Sequence, residues 1–384
     1  MISTKHILLL LEWYDYRIHR GVSHIAQKHG WQLNCPKNPT NNVGILEDWK
    51  GDGCIALLEC AQTLNYFRTH KIPLIDLGLS KHKLPVQRVV TDNQEVARLA
   101  AEHFRDQGYR EVFALTPTGS EMYKERLHFF TLQMEKDGGH VHVMQSDHIH
   151  PGVIRELRAE AANRNRRLEE LSLGFFAYTD NMGAELISLL LTHELRVPEN
   201  VAVLGVDNDD LINSGLTLGL SSVDSDLEGL GLLAAKELHK TLDNPATSTL
   251  PPIIRHKPRG VIARRSTDCY AVRNPIVAEA LHWIHHNFQR GIQATDVAEA
   301  VGITQQGLQK AFQEDYIRTP GQEVRYQRSK AVAHLLECTE ATLSEIAKNC
   351  GYYSVDTLIK GFKAIYQTTP GQYRKRYQKT KLNS

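Results

Sequence analysis

The feature that most constrains this chain is a repeat in its last third. Asp296-Val-Ala-Glu-Ala-Val-Gly302 parallels Glu345-Ile-Ala-Lys-Asn-Cys-Gly351, and Leu308-x-x-x-Phe312 parallels Leu358-x-x-x-Phe362. Thr319-Pro-Gly-Gln322 returns as Thr369-Pro-Gly-Gln372. The offset is 49 residues at the glycines and 50 afterwards, so the second copy carries one extra residue in its turn. One repeated tetrapeptide arises by chance; three elements in the same order mean two copies of one unit. Each copy predicts a short helix, a glycine turn and a second helix. Val297, Ala298 and Val301 form an apolar stripe, Gly302 ends the first helix, Thr304 caps the next, and Leu308 with Phe312 faces inward. Two such helices make a helix-turn-helix, whose second helix can enter a major groove. A lone copy is as readily an α-hairpin with no nucleic-acid role; tandem copies joined by one long helix, Gly321–Glu337, favour double-stranded DNA.

Charge is spread unevenly. Residues 271–384 hold 15 of the 45 Lys and Arg against 10 of the 44 Asp and Glu, leaving 30 against 34 in the remainder. A basic tail on an acidic body suits a polyanion, although an excess of this size is also a common solubility feature. With Leu308 and Phe312 inside, Gln305, Gln306, Gln309 and Lys310 face outward. With Leu358 and Phe362 inside, so do Tyr353, Asp356, Thr357 and Lys360. Gln bonds adenine bidentately and Lys reaches guanine or phosphate. Arg325, Arg328, Arg374, Lys375 and Arg376 are either phosphate-positioning or solvated, Arg374 being the DNA contact expected among them.

Ahead of this part, strand and helix signals alternate. Apolar runs stand at Ile7–Leu11, Cys54–Leu58, Pro73–Leu77, Val112–Leu115, Phe175–Tyr178 and Val201–Val206. Helical patterns lie between them at Ile18–His29, Thr63–His70, Gln94–Gln107 and Met182–Leu191. Short apolar runs between helices are βαβ units with buried parallel strands. The expected fold is therefore α/β with parallel sheets over residues 1–268, a linker at 269–274, and an all-α domain over 275–380 with two helix-turn-helix units. The length of 384 residues suits two or three domains. No apolar run reaches the roughly 18 residues of a membrane span. The start lacks signal-peptide features, and the six cysteines, Cys60 and Cys338 among them, form no CxxC. A reducing cytoplasm and no membrane are expected. No HExxH, P-loop or GxSxG string occurs, so neither an enzyme nor a cofactor is indicated. His140-Val-His142 and His148-Ile-His150 alternate as metal ligands on adjacent strands do, but a plain strand edge is the stronger expectation.

Polar clusters follow the apolar runs: Trp13-Tyr14-Asp15, Thr116–Ser120, Thr179-Asp180-Asn181 and Asp207-Asn208-Asp209. Ligands bind at the carboxyl ends of open parallel sheets. Carboxylates and amides there engage neighbouring hydroxyls, and aromatic rings cover apolar sugar faces. Asp207 is expected to accept from adjacent hydroxyls, with Asp180 or Asn181 on the other side. Arg126 assists from the second lobe, and Trp13 or Tyr14 covers a face. Asp180 and Asn181 serve equally well as helix caps.

Residues 275–378 resemble the AraC/XylS-type DNA-binding domain. The likeness rests on both repeat units, the connecting helix, and the closing Phe362-Lys…Pro370-Gly-Gln-Tyr-Arg-Lys-Arg376. It implies two recognition helices in successive major grooves. Gly307, Lys310, Asp356 and Ile359 depart from that pattern, which puts base preference in question. Residues 5–268 resemble the LacI/GalR sugar-responsive repressors and the two-lobed periplasmic-binding-protein-like fold. That likeness rests on Val90-Thr-Asp-Asn93 with Ala97, Asp106-Gln-Gly-Tyr109, Val203-Leu-Gly-Val-Asp-Asn208, Leu220-Ser-Ser-Val223 and Val261-Ile-Ala-Arg-Arg-Ser-Thr267. The pairing is similar to the bacterial xylose operon regulator group. That resemblance implies D-xylose as effector, a homodimer, and activation involving RNA polymerase. Glu121 and Met122 stand where an arginine-rich ligand loop is expected, leaving another sugar open. A sugar-binding transport component would need an export signal and no helical repeat. A carbohydrate enzyme using Asp180 and Asp207 as an acid/base pair would leave the DNA-reading half unexplained.

Overall fold

Alternating buried strands and amphipathic helices build the first part of the chain. The computed structural model describes residues 4–11, 13–36, 49–57, 66–67, 69–79, 86–117, 119–136, 138–168, 171–243, 252–272 and 274–375. It divides into two units, Met1–Asp268 and Cys269–Ser384. Of the helix expected over Thr63–His70 only residues 66–67 and 69–70 are described, and Cys60, Arg376 and the tail beyond it lie outside the described residues.

In the first unit the strands are β1 (His6–Leu11), β2 (Gln32–Asn34), β3 (Gly53–Leu57), β4 (Leu74–Asp76), β5 (Gln87–Thr91) and β6 (Glu111–Thr116), followed by β7 (His140–Gln145), β8 (Leu173–Ala177), β9 (Val201–Val206), β10 (Ser221–Asp224), β11 (Ile254–His256) and β12 (Gly260–Ile262). The helices are α1 (Tyr16–His29), α2 (Asn93–Asp106), α3 (Glu121–Lys136), α4 (Gly152–Asn163), α5 (Asp180–Thr192), α6 (Asp210–Ser214) and α7 (Leu227–Asp243). Two sheets form, ordered β11-β5-β4-β3-β1-β2 and β12-β10-β9-β8-β6-β7. Among the described strands every pairing is parallel except β10 with β12. Strands β3, β8 and β9 are buried at every residue, which is why they read as unbroken apolar runs rather than alternating ones.

Each sheet carries its own core and so makes its own lobe. In the first, Ile7, Leu9, Ile55 and Ile75 pack with Ile18 and Val22 of α1 and Leu230 and Ala234 of α7. In the second, Phe113, Phe175 and Val203 pack with Leu157 of α4 and Leu186 of α5. Each such fully buried side chain contributes about 1.5–3 kcal/mol. Helices α1 and α7 approach closely through two glycines. A Cβ on Gly21 would stand 2.0 Å from the Glu228 carbonyl oxygen, and one on Gly231 would stand 2.3 Å from that of Ile18.

The chain passes between the lobes three times, after β5, after β10 and after β11. The three crossings are bonded to one another. Asp92 N donates to His256 O at 2.8 Å, and Arg259 N to Asp224 O at 2.8 Å. Asp226, at φ +52°, holds His256 Nε2 at 2.9 Å and Arg259 Nη2 at 2.7 Å. Burial alone would raise the Asp226 carboxyl, but His256 and Arg259 hold it below the usual carboxylate range.

The second unit is helical: α8 (Pro275–Asn287), α9 (Ala294–Ala300), α10 (Gln305–Asp315), α11 (Pro320–Cys338), α12 (Leu343–Asn349) and α13 (Val355–Tyr366). It has two cores. Val297, Leu308 and Phe312 close the first with Val324 of α11; Ile346, Leu358 and Phe362 close the second with Val332 and Leu336 of the same helix. The helix bridging the repeats therefore belongs to both. Capping boxes at Thr319 with Gln322, Thr342 with Glu345 and Ser354 with Thr357 fix where its helices start. His140 and His142 lie on β7, an edge strand of its sheet, whereas His148 and His150 lie in the loop after it and not on a strand edge. No described helix is long and apolar enough to cross a membrane.

Candidate functional site

The loops at the carboxyl ends of β1, β8 and β9 meet at the space between the lobes. Asp15 caps α1, its Oδ1 accepting from Arg17 N at 2.8 Å and Ile18 N at 3.3 Å. The same carboxylate grips the Arg17 guanidinium, with Nη2 to Oδ2 at 2.7 Å. Arg17 then reaches from the first lobe to the second. Its Nη1 donates to the Asp207 carbonyl at 2.6 Å, and its Nη2 lies 3.3 Å from Asp209 Oδ2. Burial opposes the arginine's charge, yet these carboxylates raise its pKa further. Asp207 and Asn208 follow β9 with φ of +98° and +50°. Non-glycine residues adopt this region only under constraint. The constraint is visible: Asp207 N donates to Val223 O at 2.8 Å, and Asn208 N to Ser222 Oγ at 2.9 Å. The Asp207 carboxyl is raised by burial, while Arg126 and then Arg17 pull it back. Arg126, on α3, is buried, donating through Nε to Asn93 Oδ1 at 3.1 Å and through Nη1 to Tyr178 O at 2.5 Å. Tyr123 and Tyr178 pack against each other with centroids 4.5 Å apart and rings tilted at 45°, and the Arg126 guanidinium stands 5.5 Å from the Tyr123 ring. The residues around these loops thus include cations, a carboxyl and aromatic faces, the groups a polyhydroxylated ligand needs.

Behind this loop lies a polar seam leading to the end of the unit. Arg264 Nη2 donates to Asn208 Oδ1 at 2.7 Å, and its Nη1 to Leu220 O at 2.7 Å. Ser221, Ser266 and Thr267 are fully buried around it. Ser221 Oγ bonds Thr267 Oγ1 at 2.7 Å, and Ser266 Oγ donates to Val203 O at 2.6 Å. Buried hydroxyls bonded in this way fix β9, β10 and the stretch ending at Asp268 as one piece.

In the second unit, Gln305, Gln306, Gln309 and Lys310 are exposed on α10 while Leu308, Ala311 and Phe312 are buried. On α13, Asp356, Thr357 and Lys360 are exposed while Leu358 and Phe362 are buried. Gly302 and Gly351 have φ of +71° and +72° and end the first helix of each copy. The two copies are tied through α11: Arg328, buried, donates to Phe288 O at 2.9 Å and Ile292 O at 2.8 Å, and Ser329 Oγ bonds Tyr352 Oη at 2.9 Å.

Residues 101–267 match the family described as periplasmic binding protein-like domain, and residues 297–376 match the helix-turn-helix domain family. The chain is 28% identical over 390 residues to the xylose operon regulatory protein of Escherichia coli K12, covering 97% of this chain and 98% of that one. It is 25% identical to the Haemophilus influenzae protein of the same name, covering 94% and 95%. Among solved structures, a xylose-binding transcription activator matches with 27% identity, a TM-score of 0.57 and coverage of 97% and 98%. The chain is thus similar to the xylose operon regulatory proteins through both of its units. It is a DNA-binding transcription regulator, as these relatives are, and not an enzyme.

In this regulator the candidate ligand residues separate into three groups. Asp207 and Arg126 lie near enough for the guanidinium to lower the carboxyl's pKa. They share a lobe, since α3 packs on the sheet that carries β9. Trp13 and Tyr14 are both exposed, Tyr14 bonding His19 Nδ1 through its hydroxyl at 3.0 Å. The remaining four have partners within the protein. Asp180 is turned into the lobe: Ser222 Oγ donates to its Oδ1 at 2.5 Å and Asp209 N to its Oδ2 at 2.6 Å. It therefore cannot pair with Asp207 as an acid and base. Asn181 points outward and donates to Glu185 Oε1 at 2.9 Å. Asp15 is taken up by the α1 cap and Arg17, and Asn208 by Arg264. The cap of α5 is Thr179, not Asp180 or Asn181. In the reader, Tyr353 sits in the turn before α13, and the Thr357 hydroxyl is bound to Ser354 O at 2.8 Å. Arg374 is half-buried and donates to Ala341 O at 2.6 Å, and Arg328 is buried; Arg325 and Lys375 are exposed. Sequence reasoning missed Arg17, Tyr123 and Tyr178. The signal for Arg17 was its place two residues after a capping aspartate at a strand's carboxyl end.

Proposed function

We propose that the regulator is a cytoplasmic activator of pentose catabolic genes whose effector is D-xylose. It works as a homodimer that contacts RNA polymerase, with residues 269–274 linking sensor to reader. The observation that carries this reading is that likeness to the xylose operon regulators runs through both units, at 28% identity over 97% of the chain. The cleft supports it. Asp207 accepts from adjacent sugar hydroxyls, Arg126 donates from the same lobe, and Trp13 or the Tyr123–Tyr178 pair covers an apolar face. Sugar bound here stabilises the closed lobes, adding to the Arg17 bridge. A ligand shifts the equilibrium only by its differential affinity for closed and open states. In the reader, Gln305, Gln306, Gln309 and Lys310 address one major groove and Asp356, Thr357 and Lys360 the next, about 10 base pairs along.

Calorimetry of the full chain against D-xylose, L-arabinose and D-ribose tests the assignment. D-xylose should bind most tightly; heat with none of the three would remove the sugar reading. Asp207→Ala strands sugar donors in a desolvated cleft, at about 1–3 kcal/mol, or a rise in Kd of roughly fivefold or more. Unchanged affinity in that variant would remove Asp207 alone.

A further inference from the structure

Between the two helix-turn-helix copies lies a cleft of about 370 Å³. Its walls are the turn after α8, the outer face of α12 and the start of α13. Gln289, Arg290, Ser344, Lys348, Tyr353 and Ser354 line it, and no carboxylate does. Among the described residues neither Arg290 nor Lys348 is paired with an acid, and both are exposed. The cleft is also held in shape from behind. Arg328 grips both ends of the Phe288–Ile292 turn, and Tyr352 is bonded to Ser329. Gly351 lies so close to that turn that a Cβ would stand 2.6 Å from Phe288 O and 2.7 Å from Gln289 O.

We propose that this cleft seats a phosphodiester of the bound duplex, at the edge of the major groove that α13 reads. The inference rests on the DNA-binding reading and deepens it by naming the backbone site. Ser354 and Val355 line the cleft and begin α13, so the cleft lies within one turn of the exposed Asp356 and Thr357. A helix about 10–12 Å across fills a major groove about 12 Å wide, which brings the flanking backbone to the helix's first turn. Arg290 and Lys348 supply charge, while Ser344 and Gln289 supply neutral donors. Such contacts fix register without reading sequence.

The test uses the full-length protein and a 40-base-pair duplex of random sequence, with affinity measured across a salt series. For Arg290→Ala with Lys348→Ala, the slope of log K against log salt should fall by about 1.8, two contacts at roughly 0.9 each. That corresponds to a roughly 60-fold loss of affinity at 0.1 M salt, for lines that converge at 1 M. Lys136→Ala, an exposed lysine on α3, should leave the slope as it is. An unchanged slope in the double variant overturns the phosphate site while DNA binding stands. Absence of salt-dependent binding by the wild type instead overturns the DNA reading itself. Inorganic phosphate is titrated in parallel by calorimetry. Heat with phosphate together with an unchanged slope would assign the cleft to a free anion and also overturn the inference.

Discussion

Asp207, at φ +98°, has the largest positive φ among the described non-glycine residues, and Asn208 follows it at +50°. Burial of Asp180 is what holds that turn, because its carboxylate accepts from both Ser222 and Asp209. Burial also pushes the Asp180 carboxyl up to about 7, against the pull of those two bonds. Its folded pKa exceeds the unfolded value, so the folded state binds the proton more tightly. The stability it contributes is present below about pH 4 and is lost as pH rises towards about 7. The difference in melting midpoint between wild type and Asp180→Asn should therefore fall from pH 5 to pH 8; a flat difference would contradict the assignment. In the reader, the exposed amide of Gln309 suits adenine. Gln309→Ala should relax selectivity at one base position by about 1–3 kcal/mol, checked by binding to a set of single-base operator variants. At this scale the sequence was only partly legible. It shows a carboxylate at a strand's end but not the direction in which the next turn aims it. Asp180 and Asp207 read alike along the chain, yet one faces the lobe and the other the cleft.

Elements were far easier to read, because periodicity and glycine placement are local properties. The two reader units appear where Gly302, Gly351 and the Leu-x-x-x-Phe pairs put them, and β1, β8 and β9 where unbroken apolar runs stand. What the sequence hides is which elements touch. The glycines of the two copies look equivalent and are not. A Cβ at Gly302 meets nothing within 4 Å, whereas one at Gly351 meets the backbone of the Phe288–Ile292 turn. Gly302→Ala should cost only the left-handed backbone penalty, about 1–2 kcal/mol. Gly351→Ala should lower the melting midpoint by clearly more and weaken DNA binding, since it wedges the two copies apart. Equal effects in thermal melts would contradict that difference. The bridges between lobes were equally invisible. Arg17 to Asp207 and Asp209, and Arg255 to Glu125 at 2.7 Å, join residues that are 130 or more positions apart.

For the whole molecule, the question is how a cleft between two lobes changes a reader at the other end of the chain. Arg264 gives a physical route within the sensor, joining Asn208 beside the cleft to the stretch that ends the unit at Asp268. Intermediacy alone does not establish coupling; a change in linkage does. Arg264→Ala should keep sugar affinity within a few-fold and keep DNA binding, yet shrink the sugar-induced change in DNA affinity towards unity. Coupling energies of this kind are about 1–3 kcal/mol, so the loss is measurable by paired titrations with and without D-xylose. Coupling retained in full would remove Arg264 from the route. The central claim is that a pentose bound in the cleft sets occupancy of specific DNA. Genome-wide mapping of bound DNA, in cells grown with D-xylose, with L-arabinose or with neither, tests it most directly. The account predicts discrete sites, each with two contacted segments about 10 base pairs apart, whose occupancy changes with D-xylose. Sites whose occupancy ignores every pentose, or binding with no discrete sites at all, would contradict it.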